Sequence, residues 1–212
     1  MGKKFFIPIG IGIVIIVLVL SLTLPNTNEE FLSDQSLELD FTYENATSVI
    51  EEKIEKKKIS ISSPIILKGP SAIEKYCTFF EDESKQNLVE YCTSTELRDS
   101  EGNFLGNIHM VGSPKMPKLV LVLIQTDPFM SNLEEIKSVF RIVIESLVCE
   151  CWEDVKPSNI ETIEEWIERQ KDFHSSAVRP HSKSNLGLEG KIVQIELTTN
   201  TEGYLWKLFV AK

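Results

Sequence analysis

The feature that most restricts this chain is FFIPIGIGIVIIVLVLSLTL, residues 5–24, twenty residues without a charge whose only polar side chains are Ser21 and Thr23. At about 1.5 Å of rise per residue, a helix of that length spans a hydrocarbon layer of roughly 30 Å. Pro8, Gly10 and Gly12 lie near its start, where a membrane helix tolerates them. The run therefore reads as a transmembrane signal anchor that takes no part in a soluble core. The alternative is a cleaved secretory signal, with an apolar region of about 7–15 residues closing on small side chains. Here SLTLPN offers only a poor site after Thr23. No cysteine precedes Cys77, so a lipoprotein anchor does not arise, and MGKKFF lacks the Ser or Thr of a myristoylation signal.

The flanks orient the anchor. Lys3 and Lys4 lie before it, and PNTNEEFLSDQ after it carries no basic residue. The positive-inside rule leaves residues 1–4 as a cytoplasmic tip and exports everything after Pro25. Residues 1–24 hold two of the 22 basic residues and no acidic one, so the exported part has 20 basic against 32 acidic groups, net −12. Such a field repels nucleic acid and anionic lipid, and it argues against nucleic acid as a partner. The stretch KKFFIPIGIGIV running into an acidic exported part resembles the N-termini of anchored surface proteins of archaea. That resemblance covers residues 3–24 and implies a location, with no activity attached. Asn45-Ala46-Thr47 is a glycosylation sequon, which makes Asn45 a modification candidate on an exported surface.

Residues 25–40 are polar, acidic and aperiodic, and read as a tether that spans roughly 20–25 Å as a flexible coil. Residues 41–212 then read as one domain, since no Gly/Pro/Ser-rich linker interrupts them. Four S-x-x-E spacings, at Ser48, Ser71, Ser131 and Ser158, have the form of capping boxes and predict four helix starts. In the third helix Leu133, Ile136, Phe140, Val143, Ile144, Leu147 and Cys151 share one arc at 100° per residue. Ile160, Ile163, Trp166, Ile167 and Gln170 do the same in the fourth, and Ile73, Tyr76, Cys77 and Phe80 in the second. ISISSPIIL meets Pro64 and suits an edge strand, whereas KLVLVLIQT is apolar throughout, as a central strand covered on both faces would be. Two hairpins turn at Asp99-Ser-Glu-Gly102 and Asn200-Thr-Glu-Gly203, where an Asx residue opens the turn and Gly closes it in the left-handed region. Hairpin-linked strands with segregated helices predict an α+β domain: an antiparallel sheet of about five strands with helices packed against it. Residues 174–187 read as the longest irregular loop.

The candidate chemistry is concentrated in Cys77, Cys92, Cys149 and Cys151, an even number in an oxidising compartment. If the third helix continues through Glu150, Cys151 is buried and Cys149 points about 160° away. Two disulfides crossing from the 77–92 region to 149 and 151 then follow, each closing a long loop and stabilising by about 4 kcal/mol. Two other readings compete. A Cys149–Cys151 redox pair in an unwound turn, with Cys77 bonded to Cys92, faces the acidic neighbours Glu150, Glu153 and Asp154, and a four-thiolate zinc site fits none of the common spacings. His109 reads as a strand residue and His174 and His181 as surface residues; Trp152, Trp166 and Trp206 read as packing. The acidic clusters at 81–83 and 161–168 read as solvated faces. No GxSxG, phosphate loop, HExxH or Rossmann glycine set is present. The expectation is a non-catalytic, membrane-anchored binding or structural module without cofactor, engaging a partner in the cell envelope. The alternative is an extracytoplasmic thiol–disulfide oxidoreductase using Cys149 and Cys151.

Overall fold

The computed structural model describes residues 37–79, 83–87, 89–176 and 179–212. The expected anchor at 5–24 lies outside them, and so does Phe80. Among the described residues no helix is long and apolar enough to cross a membrane.

Eight strands form one antiparallel sheet: β1 (Ser60–Ile61), β2 (Ile65–Lys68), β3 (Tyr91–Arg98), β4 (Phe104–Gly112), β5 (Pro117–Thr126), β6 (His181–Leu188), β7 (Lys191–Asn200) and β8 (Gly203–Ala211). Their spatial order is β1-β3-β4-β5-β8-β7-β6, with β2 beside β1 on the same edge of β3. The chain thus makes a meander to β5, crosses to the far edge, and returns by a second meander that seats β8 against β5. The α+β class and antiparallel sheet are as expected from the sequence. The count of about five strands is corrected to eight, for two reasons. Pro64 cannot donate to the ladder and splits the first segment in two. The segment 174–187, read as a loop, contains the end of a helix and the whole of β6 up to Gly187. β6 conceals its period because its first inward positions are Ser182 and Ser184, which accept hydrogen bonds from Gln170 and Trp166.

One face of the sheet lies under helices α1 (Tyr43–Glu55), α4 (Leu133–Leu147) and α6 (Ile163–Ser175), with the short α5 (Trp152–Val155) between the last two. Ile50, Ile54, Phe140, Val143, Trp166 and Ile167 pack there on Ile108, Val120, Val122, Ile195, Trp206 and Leu208, forming the main core. The predicted arcs of α4 and α6 are therefore buried, and all three tryptophans are 3% exposed or less. β5 is central, with Leu119 through Val122 buried on both faces.

The helix starts differ from the S-x-x-E spacings. Thr42 and Thr162 cap α1 and α6, accepting from the amides of Asn45 and Glu165. Ser48 and Ser71 lie inside helices, and Ser131 instead donates to Asp127 across 2.6 Å. A hydroxyl caps only where its own residue is non-helical, as the extended Thr42 and Thr162 are, which the spacing alone does not specify. The turn prediction is met: Asp99 Oδ1 accepts from the amides of Glu101 and Asn103, Asn200 Oδ1 from that of Glu202, and Gly102 and Gly203 have φ of +85° and +135°.

Leu37–Lys212 is one compact unit. Leu39, assigned from sequence to the tether, is fully buried, and its amide donates to the Pro117 carbonyl. Asp40 pairs with the nearly buried Lys191 at 3.0 Å. Burial opposes ionisation of Asp40, but the Lys191 hydrogen bond, a backbone hydrogen bond and the charges of Lys191 and Lys212 together hold the carboxyl below its ordinary pKa. The chain thus joins the sheet at the end formed by the β4–β5 and β6–β7 turns.

Candidate functional site

The opposite, outer face of the sheet carries the features that can act on another molecule. Among the described residues between β2 and β3, α2 (Pro70–Tyr76) and α3 (Glu83–Gln86) lie off the sheet. Ile73, Cys77 and Val89 from this excursion pack on Cys92, Val111 and Leu119, a second and smaller core. The excursion is a lobe over one end of the outer face, its core reaching from Cys92 on β3 to Phe209 and Ala211 on β8. Gln86 braces it, accepting from the Phe79 amide and donating to the Cys77 carbonyl.

Cys77 is bonded to Cys92, fastening the lobe to β3, and Cys149 is bonded to Cys151. The crossed pairing expected from sequence is thereby corrected. Its premise was a helix running through Glu150, but α4 ends at Leu147. The amides of Val148 and Cys149 both donate to the Ile144 carbonyl, which closes the helix, and Trp152 then drives back into the core. Its indole N–H donates to the Ile160 carbonyl at 3.2 Å and its ring lies 5.5 Å from that of Trp166. The reversal at 149–151 brings the two sulfurs together. In the second helix, Cys77 is buried as predicted, whereas Tyr76 is 56% exposed.

Cys149 and Cys151 are half-buried against the main core. Glu150 between them pairs with Lys53 at 2.5 Å, and Glu153 and Asp154 follow in α5. The negative end of the α4 dipole also lies here. A thiolate released by reduction would meet mostly negative charge, surroundings that disfavour it.

Beyond the lobe the outer face is open among the described residues. One row of neighbours runs His109, Leu121, Phe209, Gln194, Asn185 from β4 to β6; Leu121 in it is buried and Phe209 packs against the lobe's core, so the row opens only at Gln194 and Asn185. The next runs Glu96, Asn107, Leu123, Lys207, Glu196, Lys183. Leu123, Leu205 and Phe209 are half-buried and Ile192 is 43% exposed, its neighbour Gly187 offering no side chain to shield it. His109 lies at the lobe's margin with its ring 4.8 Å from Phe79, and burial lowers its pKa to about 4.

His174 departs from the surface histidine expected: it is 1% exposed on α6. Ser182 Oγ accepts from Gln170 and donates to Nδ1 of His174, at 2.8 Å in each case. Nε2–H donates at 2.8 Å to Thr199, whose hydroxyl is turned to the Arg179 carbonyl. The chain of donors keeps this histidine neutral, and burial, with His181 and Arg179 nearby, lowers its pKa. It fastens α6 to β6 and β7 and offers no open position to a substrate. His181 is exposed on β6, 3.5 Å from Glu196. Glu164, Glu165 and Glu168 are ion-paired with Arg141, Arg169, Lys137 and Lys171. Among the described residues no group of three or more His, Cys, Asp or Glu is placed to hold a metal ion. Asn45 is exposed in the first turn of α1.

No family model, no curated protein and no solved structure matches this chain.

Proposed function

We propose that this protein is a membrane-anchored, extracytoplasmic binding module without catalytic activity, working through the half of the outer sheet face that the lobe leaves bare. Residues 5–24 anchor it, residues 1–4 stay in the cytoplasm, and the remainder stands outside on a short tether. The observation that carries the binding role is the set of apolar side chains Leu123, Leu205 and Ile192, half-buried or exposed among polar neighbours on the face opposite the helices. An apolar centre with a polar rim is the composition of a docking surface. The partner is a protein of the cell envelope. The wild-type exported part and its Leu205→Glu/Ile192→Glu variant, each immobilised, are exposed to an envelope extract. A protein retained by the first and lost by the second supports the reading; identical retention by both overturns it. Protease added to intact cells tests the topology, since digestion only after lysis would reverse the orientation.

The Cys149–Cys151 pairing favours a second reading, a thiol–disulfide oxidoreductase. A reduction potential below about −300 mV marks the pair as structural, and a higher one supports redox chemistry. The expected value is on the structural side, because acidic surroundings disfavour a thiolate.

A further inference from the structure

We propose that the free edge of β6 is a second binding site, which takes an extended, acidic segment of another polypeptide as a ninth strand of the sheet. The site lies apart from the apolar side chains of the outer face and rests on different observations.

The two edges of the sheet are built differently. Beside β3 the edge is β1 and β2, two and four residues long and separated at Pro64, so it offers no continuous row of backbone groups. The opposite edge is β6, eight residues without a proline, paired to β7 in one register without a bulge. A long, regular edge of this kind is a template for another strand.

The register identifies the free backbone groups. The Thr199 amide donates to the Pro180 carbonyl, so residues 180 and 199 are a hydrogen-bonded pair. Such pairs alternate along an antiparallel ladder. Ser182, Ser184, Leu186 and Leu188 therefore turn their amides and carbonyls to β7, and His181, Lys183, Asn185 and Gly187 turn theirs outward. Among the described residues these outward groups have no hydrogen-bond partner, and all four residues are exposed. Amides and carbonyls repeating about every 6.8 Å along a straight edge are matched by another extended backbone. In strand addition the backbone bonds supply affinity and alternate side chains supply selectivity.

The side chains choose the partner. β6 carries His181 and Lys183 and no acidic residue. Glu196, opposite Lys183 on β7, lies 3.5 Å from His181 and 3.6 Å from Lys207, and Lys183 has no ion pair among the described residues. The edge is thus locally basic on an acidic body: residues 37–212 carry 20 basic and 29 acidic groups, net −9, since Lys3, Lys4, Glu29, Glu30 and Asp34 precede them. A carboxylate on the added strand opposite Lys183 is attracted. A second copy is not. The register that pairs every outward group, 181 with 187 and 183 with 185, sets the two Lys183 residues about 8 Å apart, and the net charge of the bodies adds to their repulsion.

The test uses the full chain in detergent and a fluorescent eight-residue probe that alternates threonine and valine, with glutamate or lysine in place of one central threonine. Hydrogen–deuterium exchange should find the amides of Lys183, Asn185 and Gly187 unprotected in the chain alone and protected under excess glutamate probe. The glutamate probe should bind at least about threefold more tightly than the lysine probe, and Lys183→Glu should reverse that order. A fully N-methylated glutamate probe, with no amide to donate, should not bind. Asn185→Pro removes an outward amide and no bond to β7, so it should weaken the glutamate probe at least about tenfold with circular dichroism unchanged. Protection of these amides in the chain alone, failure of the glutamate probe to bind, binding of its N-methylated form, indifference to Asn185→Pro, or an order unchanged by Lys183→Glu each overturns the proposal. The outer-face reading is tested separately, through Leu205 and Ile192.

Discussion

Removing the two disulfides one at a time should have unequal costs, and the inequality follows from where each closes the chain. Cys77 and Cys92 are 15 residues apart, and Cys149 and Cys151 only 2. In the chain-entropy account, a closure of the first size stabilises by about 3 kcal/mol and one of the second by about 1.5 kcal/mol. A crossed arrangement would have made each bridge a long closure of about 4 kcal/mol. The perturbations are Cys77→Ala/Cys92→Ala and Cys149→Ala/Cys151→Ala. The assay is equilibrium urea unfolding of the exported part, with the slope checked for two-state behaviour. The first variant should lose about 3 kcal/mol or slightly more, because both of its cysteines are fully buried in the small core under the lobe. The second should lose about half as much. Proteolysis of the first variant should begin within residues 69–90, where the bridge is the covalent tie between lobe and β3. The reasoning fails if the Cys149/Cys151 variant is the more damaged, or if peptide mapping under non-reducing conditions finds either of these cysteines joined to Cys77 or Cys92.

Other expectations are as direct. His109 has its pKa lowered from 6.5 to about 4 by burial, so as pH falls the unfolded chain takes up the proton first. Its contribution is complete above about pH 6.5 and lost as pH falls through 4, a change of about 3 kcal/mol that His109→Phe should remove from the pH profile of urea unfolding. Gly203→Ala should lose more than about 2 kcal/mol in the same assay, since a Cβ there meets the Thr126 carbonyl at 2.2 Å and φ is +135°. Trp166→Phe should lose at least about 1 kcal/mol through its hydrogen bond to Ser184 at 2.9 Å, and Ser184→Ala should not add to it in full.

The sequence by itself determined whatever depends on neighbours within one segment. The buried arcs of α4 and α6, the two-faced burial of β5, the Asx turns at Asp99 and Asn200 and the α+β class all follow from periods of 3.6 and 2 and from the φ freedom of glycine. Tertiary structure alone decided whatever depends on a distant partner. β6 is a strand because Ser182 and Ser184 find donors on α6, and without α6 its inward face is too polar to be recognised as one. His174 is buried for the same reason, its ring nitrogens satisfied by Ser182 and Thr199 from two different strands. The cysteine pairing turned on where α4 stops, and α4 stops at Leu147 because Trp152 is drawn into the space beside Trp166, fourteen positions further along the chain. The open half of the outer face was equally invisible. Leu123 and Leu205 have the character of core residues in sequence, and the lobe, which reaches Phe209 and Ala211, leaves them half-buried beyond its margin.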